Sequence, residues 1–328
     1  MHLKFKIMNN FNNQEALCAL EFRELGDCYH LWTPENFEII FTDAEDFKVG
    51  MSIIGIAACL FQDIKLLTFE LMSNHLHQTL AGREDRILEM FAQIRRMLSK
   101  YFKAQGRSIN WDKFEAHLRK LLTPEEVRNA ITYNNRNGYV VNPDSTPFTY
   151  LWGANRYYYN PDAKALALQK ATVMSAREKR NISHIHASDS ITGLLAFEGY
   201  ALPLSFCHID EGERLFRNAS HYFSKISRSI EADAKIAKEI GENIFYTDDD
   251  LYSAVCRMAA EKFPKSGVSG QEAGNQNIGR QNSPSLLPAQ AKVELARAMR
   301  FDYNASDKQI MRMLKLDQQT LTGIFGQK

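Results

Sequence analysis

A chain of 328 residues with 45% hydrophobic side chains can bury two or three cores. Its net charge of +1 excludes nucleic-acid binding by overall basicity, so any such partner must be met by local patches. Five cysteines (Cys18, Cys28, Cys59, Cys207 and Cys256) form no Cys-x-x-Cys pair and fit neither a disulfide framework nor a cysteine zinc site. The first residues turn polar at Asn9-Asn10 and no apolar run approaches a membrane span, so the expectation is a cytoplasmic protein with no membrane partner.

Residues 1–27 read as an N-terminal extension without a motif. Cys28 to Trp32 is rich in aromatic residues and predicts a strand, stopped by Thr33-Pro34; Phe37 to Phe41 predicts a second short strand. Asp43 is placed to cap a helix whose apolar residues Phe47, Met51, Ile54 and Ala58 fall on one face. Two strands follow, Lys65 to Glu70 and Asn74 to Leu80. Gly82 ends them, and Glu84-Asp85 open a long helix through Phe102 that stops near Gly106. Thr123-Pro124-Glu125-Glu126 starts another helix, with proline at its first position and carboxylates at the positive end of its dipole. Asn137-Gly138 predicts its stop.

Beyond Pro143 the chain becomes aromatic and loop-like. Residues 161–263 read as mostly helical, 264–290 as a flexible linker rich in Gly, Ser, Asn, Gln and Pro, and 291–328 as amphipathic helices. In the last segment, Ser306 caps one helix, a short turn follows, and a second helix carries Gln318, Gln319 and Thr320. Ile310, Leu314, Leu316, Leu321 and Ile324 are spaced like the core of a helix-turn-helix, a module that docks on DNA; a plain helical hairpin has the same pattern.

The chemistry-bearing stretch is Leu71-Met72-Ser73-Asn74-His75-Leu76-His77. Strand periodicity points His75 and His77 to one face, where they serve either as a metal clamp or as two histidines that share a sheet face. Roughly sixty residues on, Tyr133 and Asn137 stand four apart on one helical face. A tyrosine beside a cation site can attack a phosphodiester covalently.

These segments, in this order, resemble the HUH-type single-tyrosine transposases, and most closely the REP-associated tyrosine transposases. Tyr29-His30-Leu31-Trp32 is similar to the family's opening strand, Phe69 to His77 to its "Met-Pro-Asn-His-Val-His" strand, and Trp111-Asp112-Lys113-Phe114 to its tryptophan-to-phenylalanine segment. Tyr133 to Gly138 is similar to its "Tyr-Ile-x-x-Asn-Pro" helix end, and Phe148 to Tyr158 to the aromatic stretch beyond. Ser73 and Gly138 stand where the family has prolines, and Gln78-Thr79 where it has apolar residues. The likeness covers residues 28–160.

The resemblance implies an α+β fold, a ferredoxin-like antiparallel sheet with helices forming an HUH nuclease domain; the residues themselves add a helical C-terminal region with a helix-turn-helix. The resemblance also implies Tyr133 as nucleophile and His75, His77 and Asn137 as ligands of Mg²⁺ or Mn²⁺. The implied activity is single-strand DNA cleavage and strand transfer, on single-stranded or hairpin DNA, by a monomer or homodimer. By type and location, Arg95, Arg96, Lys100 and Arg136 are candidate phosphate contacts, and Trp152 and Tyr157 candidate stacking platforms. A domesticated DNA-binding protein that does not cut, and a hydrolase of small phosphoesters, are the rival readings. His184-Ile185-His186 copies the histidine spacing in polar surroundings without a nucleophile segment, and Asp248-Asp249-Asp250 is explained by helix capping.

Overall fold

The computed structural model describes residues 2–140, 148–227, 248–263, 284–303 and 305–326, in two compact units, Met1–Ser227 and Arg228–Lys328. The first unit begins with helix α1 (His2–Leu25), so the N-terminal extension is helical. Arg128 and Arg214 reach Glu15 and Glu21 of this helix through ion pairs.

Next come β1 (Cys28–Trp32), α2 (Ala44–Leu60), β2 (Lys65–Leu71), β3 (Leu76–Ala81), α3 (Glu84–Ala104), β4 (His117–Leu121) and α4 (Pro124–Val140). The four strands form one antiparallel sheet in the order β2-β3-β1-β4. Its two faces differ in chemistry. Tyr29, Leu31, Phe69 and Leu80 point to the side of α2 and α3, where Tyr29 meets Glu84 at the start of α3; these strand residues are buried, as are Ile53 and Ile54 of α2 and Met90 and Ile94 of α3. His30, Thr68, Glu70, His77 and Thr79 point to the other side, under α4, and all are buried.

A helix can cover such a polar face only by bringing partners for it, because an unsatisfied buried polar group costs about 1–3 kcal/mol. Helix α4 does this with consecutive asparagines. Asn134 donates to Thr79 Oγ1 at 2.9 Å, and Asn135 accepts from Thr68 and donates to the Tyr222 hydroxyl at 2.9 Å. Gly153 lies against β2 in an isolated bridge to Glu70. A Cβ there would sit 2.7 Å from the Phe69 carbonyl oxygen, so the loop after α4 can approach the sheet only as glycine.

Several expectations change. Phe37 to Phe41 is not a strand: the backbone N–H groups of Ile40 and Phe41 both bond the Ser73 carbonyl, at 2.8 and 2.9 Å, so the segment hangs from one acceptor rather than a ladder. Strand β4 was not anticipated from His117-Leu118-Arg119-Lys120-Leu121, an edge strand whose charged residues hide the alternation. Helix α4 passes through Asn137-Gly138 to Val140 instead of stopping there.

The first unit continues to Ser227 with α5 (Pro161–Lys170), α6 (Ala176–Ser183), α7 (Ile209–Arg214) and α8 (Ala219–Ile226). It also holds a small sheet of β5 (Thr172–Val173), β6 (Leu195–Phe197) and β7 (Tyr200–Ala201), strands too short to show a period in the sequence.

The second unit holds α9 (Asp248–Lys262), α10 (Ala289–Phe301), α11 (Asp307–Leu314) and α12 (Gln318–Phe325) around Leu251, Val255, Leu295, Met299, Ile310, Leu314 and Leu321. Ser306 and Gln309 form a capping box on α11, Lys315 ends it in the left-handed region, and Asp317 caps α12 by accepting from Thr320 N at 2.7 Å. Most of the expected linker, residues 264–283, lies outside the described residues. Among the described residues no helix is long and apolar enough to cross a membrane.

Candidate metal centre

Strand register assembles the site. Trp32 of β1 pairs with His77 of β3. The ladder runs on by one step, since Thr33 N donates to the Leu76 carbonyl at 3.1 Å and Leu76 N donates to Thr33 Oγ1 at 3.0 Å. The turn that follows Thr33 is thereby delivered to the start of β3, and Glu35 arrives beside His75. One ligand atom from each of Glu35, His75 and His77 lies within 4.8 Å of the others, a grouping of three that could hold a metal ion. The two imidazoles meet edge to face with centroids 4.8 Å apart; His75 is 9% exposed and His77 fully buried.

Asn74 orients two of these three. Its Nδ2 donates to the Glu35 carbonyl and, at 3.1 Å, to the Phe37 carbonyl, while its Oδ1 lies 2.7 Å from His75 Nδ1. An amide oxygen can only accept, so His75 Nδ1 carries a proton, and in the neutral ring Nε2 then holds the lone pair a metal needs. Fixing the tautomer through the second ring nitrogen is how metal-binding histidines are prepared.

Helix α4 supplies the rest. Asn137 Nδ2 donates to His77 Nε2 at 2.7 Å, which requires a lone pair on that nitrogen. A half-turn of the amide exchanges Nδ2 for Oδ1 and converts this donor into a further oxygen ligand. Two imidazole nitrogens and a carboxylate, with an amide oxygen beside them, suit a divalent cation with positions left open for a substrate. One turn back on the helix, the Tyr133 ring packs edge-on against His77 (5.7 Å) and His30 (6.2 Å). Tyr133 is only 6% exposed and its hydroxyl is sealed from solvent.

A carboxyl group lies beneath. Glu70 is fully buried, faces His77 across the β2–β3 ladder, and adds to burial in holding the Tyr150 and Tyr222 phenols well above their ordinary pKa. Tyr150 donates to the Leu71 carbonyl at 2.7 Å.

His75, His77, Tyr133 and Asn137 therefore lie together, a meeting of strand and helix that the resemblance implied and the spacing alone did not. Glu35, Asn74, His30 and Glu70 were missed. Glu35 lies forty positions before His75, and only the β1–β3 register joins them; a carboxylate in a Thr-Pro-Glu turn gives no signal of its own.

The other candidates sit elsewhere. Arg95, Arg96 and Lys100 ride on α3, across the sheet from α4. Arg136 is buried instead of being offered to a phosphate in solvent. Tyr157 is 1% exposed and belongs to the core, so no base can stack on it, and Trp152 is already stacked on Phe47 at 4.9 Å. Gln318, Gln319 and Thr320 are exposed at the start of α12 in the second unit. His184 and His186 are exposed, and neither belongs to a metal-type cluster among the described residues. The side chains of Asp248 to Asp250 lie outside the described residues; α9 starts at Asp248, so the three aspartates form its first turn instead of preceding it. No protein-family model matches this chain, and neither does any curated protein or solved structure.

Proposed function

We propose that this chain is a metal-dependent single-strand DNA endonuclease and strand-transferase of the transposase type. The observation that carries the reading is the convergence of His75, His77 and Glu35 with Asn137 and the Tyr133 ring at one end of the sheet. Two further features support it. The β-α-β-β-α-β order with strands arranged 2-3-1-4 is that of a ferredoxin-like sheet, the architecture the HUH-type resemblance implies. The paired helices α11 and α12, joined by a three-residue turn, suit a helix-turn-helix that offers Gln318, Gln319 and Thr320 to base edges or phosphates.

In this reading the Tyr133 oxygen attacks a DNA phosphorus. The Tyr–O–P bond forms, the bond to the 3′ oxygen breaks, and the phenolic proton is released as the 3′-hydroxyl leaves. The product is a 5′-phosphotyrosine that a 3′-hydroxyl can later reverse without an external energy source. A bound cation would supply charge neutralisation on the non-bridging phosphate oxygens. The mixed nitrogen and oxygen donor set favours Mn²⁺ over Mg²⁺, which prefers oxygen ligands alone. Asn74 keeps His75 in the ligating tautomer, and Asn137 holds His77 on the face that Tyr133 shares.

The test is incubation of the protein with Mn²⁺ and single-stranded oligonucleotides, including the hairpins that flank its own gene, followed by a denaturing gel. A covalent adduct that disappears in Tyr133→Phe is the expected result; an adduct that survives this substitution overturns the choice of nucleophile. One observation favours a second reading, DNA binding without cleavage: the Tyr133 hydroxyl is sealed, so α4 must shift before a phosphate can reach it. That reading expects oligonucleotide binding with no adduct under any metal condition.

A further inference from the structure

Across the sheet from the metal cluster, α3 and the segment beyond α6 enclose two adjoining open clefts of about 380 and 500 Å³ that share His184, Ile185 and His186. Arg96 and Lys100, one helical turn apart on α3, form one wall; Arg180 and the two histidines form the other. Among the described residues no carboxylate lines either cleft. In a chain of net charge +1 this is a local concentration of positive charge.

The cations are not equivalent. Arg180 is engaged by Asp189, with Nε to Oδ1 at 3.0 Å. Lys100 donates one proton to the His184 carbonyl at 3.2 Å and keeps two more N–H donors. Arg96 is exposed and makes no ion pair among the described residues. Rings stand beside them: Phe61 lines the smaller cleft with the Arg86 guanidinium over its ring at 4.8 Å, and the His184 imidazole stands 6.2 Å from the Tyr101 ring. One guanidinium outside any ion pair and one ammonium with donors to spare, facing the His184 and His186 imidazoles across a groove, match a charged backbone carrying unpaired bases.

We propose that this cleft binds the phosphodiester backbone of a single-stranded nucleic acid, with Arg96 and Lys100 as its phosphate contacts. The identity of the ligand as nucleic acid rests on the proposed function; the cleft itself does not depend on the metal centre. The proposal gives a role to the α6 region, for which the sequence offered none. It also means that a strand engaged by this unit contacts both faces of the sheet, the metal-bearing face for chemistry and the α3 face for grip.

The experiment is fluorescence anisotropy of the full chain with a labelled oligothymidine of about twenty nucleotides, in EDTA so that metal chemistry is silent, over a series of salt concentrations. The double substitution Arg96→Glu, Lys100→Glu is expected to weaken binding tenfold or more. Arg96→Gln, Lys100→Gln removes two phosphate contacts without adding repulsion, and should flatten the log–log salt dependence by about 1.4, at roughly 0.7 per contact for single strands. Arg96 is exposed and Lys100 half-buried on α3, so an unchanged melting temperature in both variants serves as the folding control. Unaltered affinity and slope in both variants would overturn the proposal. So would an equal loss on duplex DNA, or displacement of the oligonucleotide by millimolar inorganic phosphate, which would mark a small phosphate site. A wild-type protein that forms no covalent adduct yet loses binding in these variants removes the catalytic reading and leaves the cleft standing.

Discussion

Replacing Asn74 separates the metal centre from the fold around it. Its amide makes three hydrogen bonds, two to the carbonyls of Glu35 and Phe37 and one with His75 Nδ1. In Asn74→Ala the Glu35 turn loses both anchors, about 1 kcal/mol each, and His75 loses the acceptor that fixes its tautomer. Loss of such an outer partner costs about 10- to 100-fold in metal affinity, or about 1.4–2.8 kcal/mol. Because Asn74 orients two of the three ligands, the upper end of that range is expected. Asn74→Asp keeps an acceptor for His75 Nδ1 but sets a carboxylate against two carbonyls, so it should displace Glu35 while preserving the tautomer. Titration calorimetry with Mn²⁺ measures the affinity, and the nitrogen shifts of the His75 ring report the tautomer. Wild-type Mn²⁺ affinity in Asn74→Ala would refute the account of how the site is held.

Three further outcomes follow from the packing. Asn135→Ala removes the buried partners of Thr68 and Tyr222 together; a loss of about 2–4 kcal/mol is expected, read as a lower urea midpoint with an unchanged slope. Gly153→Ala places a Cβ 2.7 Å from the Phe69 carbonyl oxygen, so a destabilisation of about 1–3 kcal/mol should appear as a lower melting temperature. Burial, with Arg217, Lys225 and Arg128 nearby, depresses the pKa of His221 to about 4 from its ordinary 6.5. The unfolded chain therefore takes up the proton first as pH falls. This contribution to stability is complete above about pH 6.5 and is lost progressively down to about pH 4. The drop in melting temperature between neutral and mildly acid pH should be smaller in His221→Gln than in the parent; an identical drop would place the sensitivity elsewhere.

The sequence by itself determined what local chemistry can determine. Asp43 and Ser306 capped their helices as expected, Gly82 ended a strand pair, and Pro124 opened the helix that carries Tyr133 and Asn137 on one face. The spacing of His75 and His77 already placed both on one side of the sheet, and they are there with rings 4.8 Å apart. Strand and helix periods act within a few residues, so these relations survive any tertiary arrangement. Only the fold could decide that Glu35 joins the histidines, because a β1–β3 register spanning more than forty residues sets that meeting. Only the fold could decide that Arg96 and Lys100 lie across the sheet from Tyr133 while Tyr157 is in the core, since residue type says nothing about which face of a sheet a helix will cover. The polar layer under α4 belongs to the same class. His30, Thr68, Glu70 and Thr79 look like surface residues in the sequence, yet all are buried under α4, whose asparagines meet Thr68 and Thr79.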